Sequence, residues 1–124
     1  MDNLKKKKVL IVEDEPDLSV VFTSLLSVLG VQSQVAENAG AAKNSIFKEK
    51  FDFIIIDLTL PDMSGIDLYK EMISGHPEYR GNVIFTSGMN MTTELGEIMK
   101  DDDISFLAKP FSIEKLKKTL DKWL

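Results

Sequence analysis

The amino-acid sequence predicts an α/β fold in which helices cover both faces of a parallel sheet. Five short apolar runs have the length and composition of strands. They alternate with five segments in which apolar residues recur at helical spacing, and parallel strands need helix-length connections of this kind. A chain of 124 residues is long enough for one such domain with its own hydrophobic core. We therefore expect a single domain over residues 1–124.

The first part of the chain contains two of the strands and two of the helices. Val9–Val12 is a continuous apolar run, which predicts a strand buried on both faces. Pro16 suits the first turn of the helix that follows, and Gly30 suits its end. The more polar stretch Gln32–Ala36 predicts an edge strand. The residues that indicate the first two helices are Leu18, Val21, Phe22, Leu25, Leu26 and Leu29, followed by Ala39, Ala42, Ile46 and Phe47.

The rest of the chain continues the alternation with three strands and three helices. Phe53–Ile56 is the most apolar strand and ends on Asp57, while Val83–Phe85 and Ser105–Ala108 predict the fourth and fifth strands. Ser112 is a good N-cap for the last helix. The residues that indicate the last three helices are Ile66, Tyr69, Met72 and Ile73, then Met91, Leu95, Ile98 and Met99, then Ile113, Leu116, Leu120 and Trp123. We expect the last four to line the inner face of the final helix.

Composition and charge exclude several classes of function. A formal net charge of −5 argues against nucleic-acid binding, because binding to the phosphate backbone needs a basic surface. No apolar run approaches the ~20 residues of a membrane-spanning helix, and the first apolar stretch is too short for a signal peptide. We therefore expect a cytoplasmic location without membrane contact. The absence of cysteine excludes disulfides, thiol catalysis and cysteine-ligated metals.

Polar side chains follow the predicted strands at the point where each strand ends. Glu13 and Asp14 come after the first strand, and Asp57 comes after the third. Ser87 follows the fourth strand and Lys109 the fifth. Ligands of open parallel sheets bind at the carboxyl ends of the strands, so we expect these five residues to face one crevice. Three carboxylates repel one another unless a cation intervenes, and Mg²⁺ is the natural choice because it prefers oxygen ligands.

Four sequence fragments make the chain resemble the receiver domain of two-component response regulators over essentially its whole length. They are VEDEP at Val12–Pro16, IIIDLTLPDMSG at Ile54–Gly65, FTSG at Phe85–Gly88 and AKPF at Ala108–Phe111. The resemblance implies a flavodoxin-like receiver fold with the strand order 2-1-3-4-5. It also implies a phosphoprotein of a phosphorelay, which takes a phosphoryl group from a sensor histidine kinase or a phosphotransfer protein. Such a domain assists only its own phosphorylation and dephosphorylation and is not otherwise an enzyme.

The resemblance implies a role for each matching residue. Asp57 resembles the phosphoacceptor, and Lys109 resembles the lysine that contacts the phosphoryl oxygens. Ser87 stands where the family has the hydroxyl that follows the phosphoryl group, and Phe106 stands at the switch aromatic position. The implied ligands of Mg²⁺ are Glu13, Asp14, Asp57 and the backbone carbonyl of Thr59.

The chain departs from the usual family pattern at two positions, and the resemblance also implies an output surface. Glu13 stands where Asp is commoner, so its contact with the metal is expected to run through water. Phe106 lacks the hydroxyl that a tyrosine would offer to partners. The implied output surface is formed by the fourth helix, fifth strand and fifth helix, roughly Met91–Met99, Phe106 and Lys115–Lys122. It would dock a downstream target or form a dimer.

Other readings of the same residues are weighed against this one. A dinucleotide oxidoreductase would need a glycine-rich turn where this chain has Glu13–Pro16, and this reading fails. A haloacid-dehalogenase-type phosphatase, with an aspartyl nucleophile and Mg²⁺, has a second Asp at the position of Thr59. A degenerate receiver would lack a required residue, and none is missing. A stand-alone regulator and a module cut from a hybrid kinase or a larger regulator both remain open.

Overall fold

The protein has the predicted α/β architecture. The computed structural model describes residues 7–88 and 92–123, and its five parallel strands lie in the order β2-β1-β3-β4-β5. The predicted fold class and the strand order implied by the resemblance are both confirmed. The strands are β1 (Lys8–Val12), β2 (Gln32–Ala36), β3 (Phe53–Asp57), β4 (Val83–Ser87) and β5 (Ser105–Ala108). The helices are α1 (Pro16–Val28), α2 (Ala39–Lys48), α3 (Gly65–Gly75), α4 (Thr93–Asp102) and α5 (Ile113–Leu120).

The hydrophobic core has two layers, one on each face of the sheet. Successive residues of a strand point to opposite faces, so β3 sends Ile54 and Ile56 into one layer and Phe53 and Ile55 into the other. Helices α2, α3 and α4 cover the first layer, and helices α1 and α5 cover the second. Burial on both faces explains why β1, β3 and β4 contain the continuous apolar runs Val9–Val12, Phe53–Ile56 and Val83–Phe85.

Three apolar residues that helped to indicate helices do not lie on the buried faces of those helices. Val21 is 43% exposed, Phe47 is 83% exposed and Ile113 is 53% exposed. The prediction that Ile113 lines the inner face of the last helix is therefore wrong, while Leu116, Leu120 and Trp123 are buried as expected. A helix buries only a stripe of its surface, so apolar residues at the edge of the stripe extend the periodic pattern without being buried.

The starts and ends of the helices follow local chemistry. Ser112 caps α5 as predicted, accepting a hydrogen bond from Lys115 N. Gly30 has a positive φ of 80° and follows Leu29, the C-cap residue of α1, as glycine does at helix C-termini. Met91, which helped to indicate α4, lies outside the described residues. None of the helices that the structure describes is long and apolar enough to cross a membrane.

Candidate functional site

The carboxyl ends of β1 and β3 bring three acidic side chains together. Val12 pairs with Ile56 in the sheet, so the residues that follow the two strands are neighbours. One carboxylate oxygen from each of Glu13, Asp14 and Asp57 lies within 4.8 Å of the others. Glu13 and Asp57 are buried, with 1% and 4% of their surface exposed, whereas Asp14 is exposed. The cluster therefore has a buried floor and an open side.

Lys109 is inserted between the two buried carboxylates. Its Nζ lies 3.0 Å from Glu13 Oε1 and 3.0 Å from Asp57 Oδ2, and 17% of its side chain is exposed. Its backbone N donates to the carbonyl of Ser87 at 2.9 Å, which fixes the start of the side chain at the end of the sheet. A cation was expected among these carboxylates, and the ammonium group of Lys109 provides one from the chain itself. Lys109 is therefore not an ordinary surface lysine.

Backbone amides bind the remaining oxygens of the buried carboxylates. Asp57 Oδ1 accepts from Thr59 N at 2.9 Å, and Glu13 Oε2 accepts from Glu15 N at 3.2 Å. All four oxygens of Glu13 and Asp57 thus have a partner. The side chain of Asp14 makes no capping bond, since Glu15 occupies the N-cap position of α1 without a side-chain bond. Asp14 is the carboxylate of the cluster that faces solvent.

The environment shifts the pKa values of two groups in the cluster. Burial, and secondly the contact with the Asp57 side chain, raises the pKa of Glu13 from 4.5 to about 7, while the hydrogen bonds from Lys109 and the Glu15 amide act in the opposite direction. Burial also opposes the charge on Lys109, but the hydrogen bonds to Asp57 and Glu13 outweigh it and raise the pKa of the ammonium. The repulsion among the carboxylates is therefore relieved in two ways, by Lys109 and by a proton on Glu13.

The loop between β3 and α3 approaches the floor of the cluster closely at Gly65. A Cβ on this residue would lie 2.5 Å from the carbonyl oxygen of Asp57 and 2.8 Å from Leu58 Cα. Gly65 N donates to Leu58 O at 2.9 Å, and Leu58 N donates to Thr86 O at 3.0 Å. Only glycine fits at this position without moving the backbone that carries Asp57.

The carboxyl ends of β4 and β5 carry hydroxyl and aromatic side chains in place of the buried carboxylates at β1 and β3. Ser87 and Thr86 are buried, and Thr86 Oγ1 has no hydrogen-bond partner among residues 7–88 and 92–123. Phe106 pairs with Phe85 in the sheet and is half-buried. It lines a groove of about 540 Å³ between β5 and α5. The other residues that line the groove are Ser105, Leu107, Ala108, Lys115, Lys118, Thr119 and Lys122.

The acidic cluster fits a divalent cation. Its donors are carboxylate oxygens, which Mg²⁺ prefers, and Mg²⁺ commonly binds through one or two carboxylates with several waters. Asp14 is free to bind directly. Both oxygens of Glu13 and both oxygens of Asp57 already accept hydrogen bonds, and the expectation that the metal contact of Glu13 runs through water stays a prediction. The structure brings Glu13, Asp14, Asp57 and Lys109 together as predicted, with Thr59 and Ser87 beside them. Their roles stay predictions.

One residue at the rim of the site was missed by sequence reasoning. Asp62, in the same loop, accepts hydrogen bonds from Ala39 N at 2.9 Å and from Gly40 N at 3.0 Å, both at the start of α2. Its local sequence, Pro61-Asp62, indicates only a turn. The first N–H groups of α2 have no partner within the helix, so the sequence indicates that they need acceptors. Nothing in the sequence connects them to a residue 22 to 23 positions away.

Comparisons with known proteins agree with this geometry. A family model described as "Response regulator receiver domain" matches residues 9–121. The transcriptional regulatory protein DpiA of Escherichia coli is 32% identical over 116 residues, covering 92% of this chain and 50% of DpiA. The sporulation initiation phosphotransferase F of Bacillus subtilis is 26% identical over 122 residues, covering 98% of this chain and 96% of that protein. The first curated relatives are longer, and the chain spans a quarter to a half of their length.

A solved structure agrees as well. The response regulator receiver domain (CheY-like) from Methylobacillus flagellatus superposes with a TM-score of 0.82 at 29% identity. The superposition covers 95% of this chain and 98% of that one. The likeness thus extends over the whole sheet and its helices.

Proposed function

Since the chain belongs to the response regulator receiver domain family, we propose that Asp57 accepts a phosphoryl group from a partner histidine kinase or phosphotransfer protein, with Mg²⁺ bound beside it. The observation that carries the proposal is the position of Lys109, whose ammonium bridges Glu13 and Asp57 at 3.0 Å on the ligand-binding edge of the sheet. Lys109 and the exposed carboxylate of Asp14 place charges of both signs around the nucleophile Asp57. Phosphoryl transfer depends mainly on such positioning and neutralisation of charge.

The residues of the site divide the work of the transfer. An oxygen of Asp57 attacks phosphorus, the P–O bond forms, and the P–N bond to the donor imidazole breaks with its electron pair leaving on nitrogen. Lys109 is within reach of the incoming phosphoryl oxygens and neutralises their charge. The Thr59 amide, which binds Asp57 Oδ1 at 2.9 Å, is the second donor at this position. Because the donor supplies a good leaving group, no general base is required.

A metal completes the neutralisation. Mg²⁺ would be held by Glu13 through water, by Asp14 and Asp57 directly, and by the backbone carbonyl of Thr59, and it would supply further positive charge at the nucleophile. Burial, and secondly the neighbouring Asp57 side chain, raises the pKa of Glu13 and favours its protonated form in the metal-free protein. We expect Mg²⁺ to displace that proton, since a cation among the carboxylates favours their ionised form.

The signal would leave the site through β4 and β5. A phosphoryl group on Asp57 adds charge and acceptor oxygens, and the Ser87 hydroxyl gains a charge-assisted hydrogen bond by moving toward it. Phe106, half-buried on the neighbouring strand, then turns inward and alters the face of α4, β5 and α5. On this proposal that face docks a target or a second copy, and the domain works in the cytoplasm where its donor acts.

The proposal treats the protein as a switch that modifies only itself. A phosphatase of the aspartyl-nucleophile type would need an acid two residues after the nucleophile, and Thr59 stands there. Intact-protein mass spectrometry tests the proposal. With Mg²⁺ and acetyl phosphate the wild type should gain one base-labile phosphoryl group, and Asp57→Asn should gain none, because an amide is not a nucleophile here. A full-strength adduct on Asp57→Asn would disprove the assignment of the acceptor.

A further inference from the structure

Asp62 joins the loop beside Asp57 to the start of α2. Its Oδ1 accepts from Ala39 N at 2.9 Å and its Oδ2 from Gly40 N at 3.0 Å. Both donors belong to the first turn of the helix, where N–H groups have no partner within the helix. These two bonds, with a smaller contribution from Lys43, hold the pKa of Asp62 below its ordinary value of 3.8. The carboxylate is therefore ionised at neutral pH, and both bonds are charge-assisted.

The helix has its own cap and does not depend on Asp62 for one. Asn38, the residue before α2, accepts a hydrogen bond from Ala41 N at 2.7 Å through its side chain. A cap of this kind is local, since Asn38 and Ala41 are three residues apart. Asp62 instead reaches across 22 to 23 residues of sequence. What Asp62 adds is a connection between the loop and the helix.

This connection closes a circuit of hydrogen bonds around the rim of the site. Glu13 N donates to the carbonyl of Ala36 at 3.0 Å, at the end of β2. The chain then leads from Ala36 into α2, whose first turn is bound by Asp62. Asp62 lies in the loop of Thr59, and Thr59 N donates to Asp57 Oδ1 at 2.9 Å. The circuit therefore runs from the backbone of Glu13 to the carboxylate of Asp57.

The loop over residues 58–64 is held at its base by backbone bonds and near its tip by packing. Its base is closed by the bond from Gly65 N to Leu58 O and by the bridge between Thr59 and Ser64. Near the tip, Leu60 is buried with 9% of its surface exposed, and Met63 packs against the same hydrophobic core. Among the described residues, Asp62 supplies two side-chain hydrogen bonds that join the tip to α2.

We propose that Asp62 is a positioning residue, which fixes the loop over residues 58–64 against α2 and thereby orients the backbone of Thr59 beside Asp57. The inference rests on the proposed function, in which the Thr59 carbonyl is a ligand of Mg²⁺ and the Thr59 amide binds the phosphoacceptor. Loss of the Asp62 bonds frees the tip of the loop, so the Thr59 carbonyl samples orientations that do not face the metal. Mg²⁺ affinity and the rate of phosphorylation should both fall.

The test compares Asp62→Ala with Asn38→Ala, because each removes side-chain acceptors from the same helix start but only the first frees the loop. Both variants should lower Tm by about 3 to 6 °C, as expected for a lost cap in a domain of this size. Asp62→Ala alone should weaken Mg²⁺ binding by about 3- to 10-fold, less than the 10- to 100-fold loss found when a direct partner of a metal ligand is removed. It alone should also slow phosphorylation by acetyl phosphate.

A measurement without metal separates this inference from the proposed function. In metal-free protein, amide hydrogen exchange over residues 58–64 should be faster in Asp62→Ala than in wild type and unchanged in Asn38→Ala. Equal exchange and equal Mg²⁺ affinity in the two variants would overturn the inference and leave the proposed function intact. A wild type that binds no Mg²⁺ and takes no phosphoryl group would overturn the proposed function, while the exchange data would still decide whether Asp62 fixes the loop.

A conservative variant covers the case in which Asp62→Ala does not fold. Asp62→Asn keeps one acceptor oxygen and loses the other, so it retains one of the two bonds to α2. Its exchange rates and Mg²⁺ affinity should lie between those of wild type and Asp62→Ala. Wild-type values for both quantities in Asp62→Asn would contradict a positioning role that depends on the two bonds.

Discussion

The two halves of the site edge are built differently. At the ends of β1 and β3, both oxygens of Glu13 and of Asp57 have hydrogen-bond partners, and Lys109 bridges them. At the ends of β4 and β5, Thr86 Oγ1 is buried without a partner among the described residues, and Phe106 is only half-buried beside a groove. The first half joins buried charged groups to one another, whereas the second combines buried hydroxyls with a half-buried aromatic ring.

This difference matches the division of labour that the proposed function requires. Chemistry needs groups held in one geometry, because misplacement of a nucleophile slows transfer. A switch needs an element with two arrangements of similar free energy, of which the phosphorylated site favours one. Charged contacts at β1 and β3 serve the first need, and the half-buried Phe106 beside its groove at β5 serves the second. Substitutions in the first half should therefore cost more stability than those in the second.

Lys109→Ala should have the largest effect. It leaves two buried carboxylates without their shared cation, and breaking a buried pair in this way costs about 3 kcal/mol or more. Unfolding in urea at about pH 8 without metal measures the loss. Lys43→Ala is the matched control, because it breaks a 2.8 Å pair with Glu71 at the surface and should cost at most about 1 kcal/mol.

The same variant also tests the chemistry. Lys109→Ala should take up the phosphoryl group much more slowly than wild type, because one source of charge neutralisation is lost. Mg²⁺ binding should be largely retained, since Lys109 is not a ligand. A Lys109→Ala protein as stable as the Lys43→Ala protein would contradict the view that the β1 and β3 half is fixed by this ion pair.

Gly65→Ala should have the next largest effect. The new Cβ would meet the Asp57 carbonyl at 2.5 Å, and crowding of this kind costs about 1 to 3 kcal/mol. Gly75→Ala, at the other end of α3, has nothing within 4 Å of the new Cβ and should leave stability unchanged or slightly raised. Thermal unfolding of the two variants compares them. Equal Tm values would show that the backbone at Asp57 yields easily, against the proposed rigidity of this half.

Sequence predicted the fold and most members of the site because both depend on local pattern. Continuous apolar runs fix the strands, and the polar residue after each run must emerge at the edge of the sheet. Glu13, Asp14, Asp57 and Lys109 were found in this way. The sequence predicted a metal ion as the cation among the carboxylates. The structure shows that the ammonium group of Lys109 also lies between two of them. The reach of one lysine between two strands is set by tertiary packing.

The residues that were not predicted are those whose contacts or burial are decided elsewhere in the molecule. Asp62 indicates a turn, and its partners in α2 are distant in sequence. Ile113 and Phe47 fit a helical period, but the position of the helix on the sheet leaves them exposed. On α1 the polar residue Ser19 is buried, whereas the apolar residue Val21 is exposed. Periodicity locates a buried face only to within about one residue on either side.

Glu13→Gln should alter how stability depends on pH. The folded-state pKa of Glu13, about 7, is above its ordinary value of 4.5. The stability that comes from this proton is therefore fully present below about pH 4.5 and is lost as pH rises through about 7. Between about pH 5 and about pH 8, metal-free wild type should lose on the order of 2 kcal/mol relative to Glu13→Gln. Urea unfolding in EDTA at both pH values measures the difference.

Mg²⁺ provides the control for this prediction. At about pH 8, where Glu13 is ionised in the folded protein, the metal should stabilise wild type more than Glu13→Gln, because only wild type then offers three carboxylates. A difference in unfolding free energy that stays constant with pH would show that Glu13 is ionised throughout. Lys109 alone would then relieve the repulsion in this half of the site.

Thr86→Val should have the smallest effect and the opposite sign. The Thr86 hydroxyl is buried without a partner among the described residues, so replacing it by a methyl group of similar shape removes a desolvation cost and should stabilise the protein by about 1 kcal/mol. Ser87→Ala is the companion variant at the next position. It should leave phosphorylation possible, but it should blunt the response of Phe106 in NMR spectra of beryllofluoride-treated protein. Because the two hydroxyls are adjacent, each variant controls for local disturbance by the other. If Thr86→Val blunted the Phe106 response and Ser87→Ala did not, the switch hydroxyl would be Thr86. Its buried hydroxyl, which has no partner among the described residues of the unphosphorylated protein, would then be the group that binds the phosphoryl oxygens.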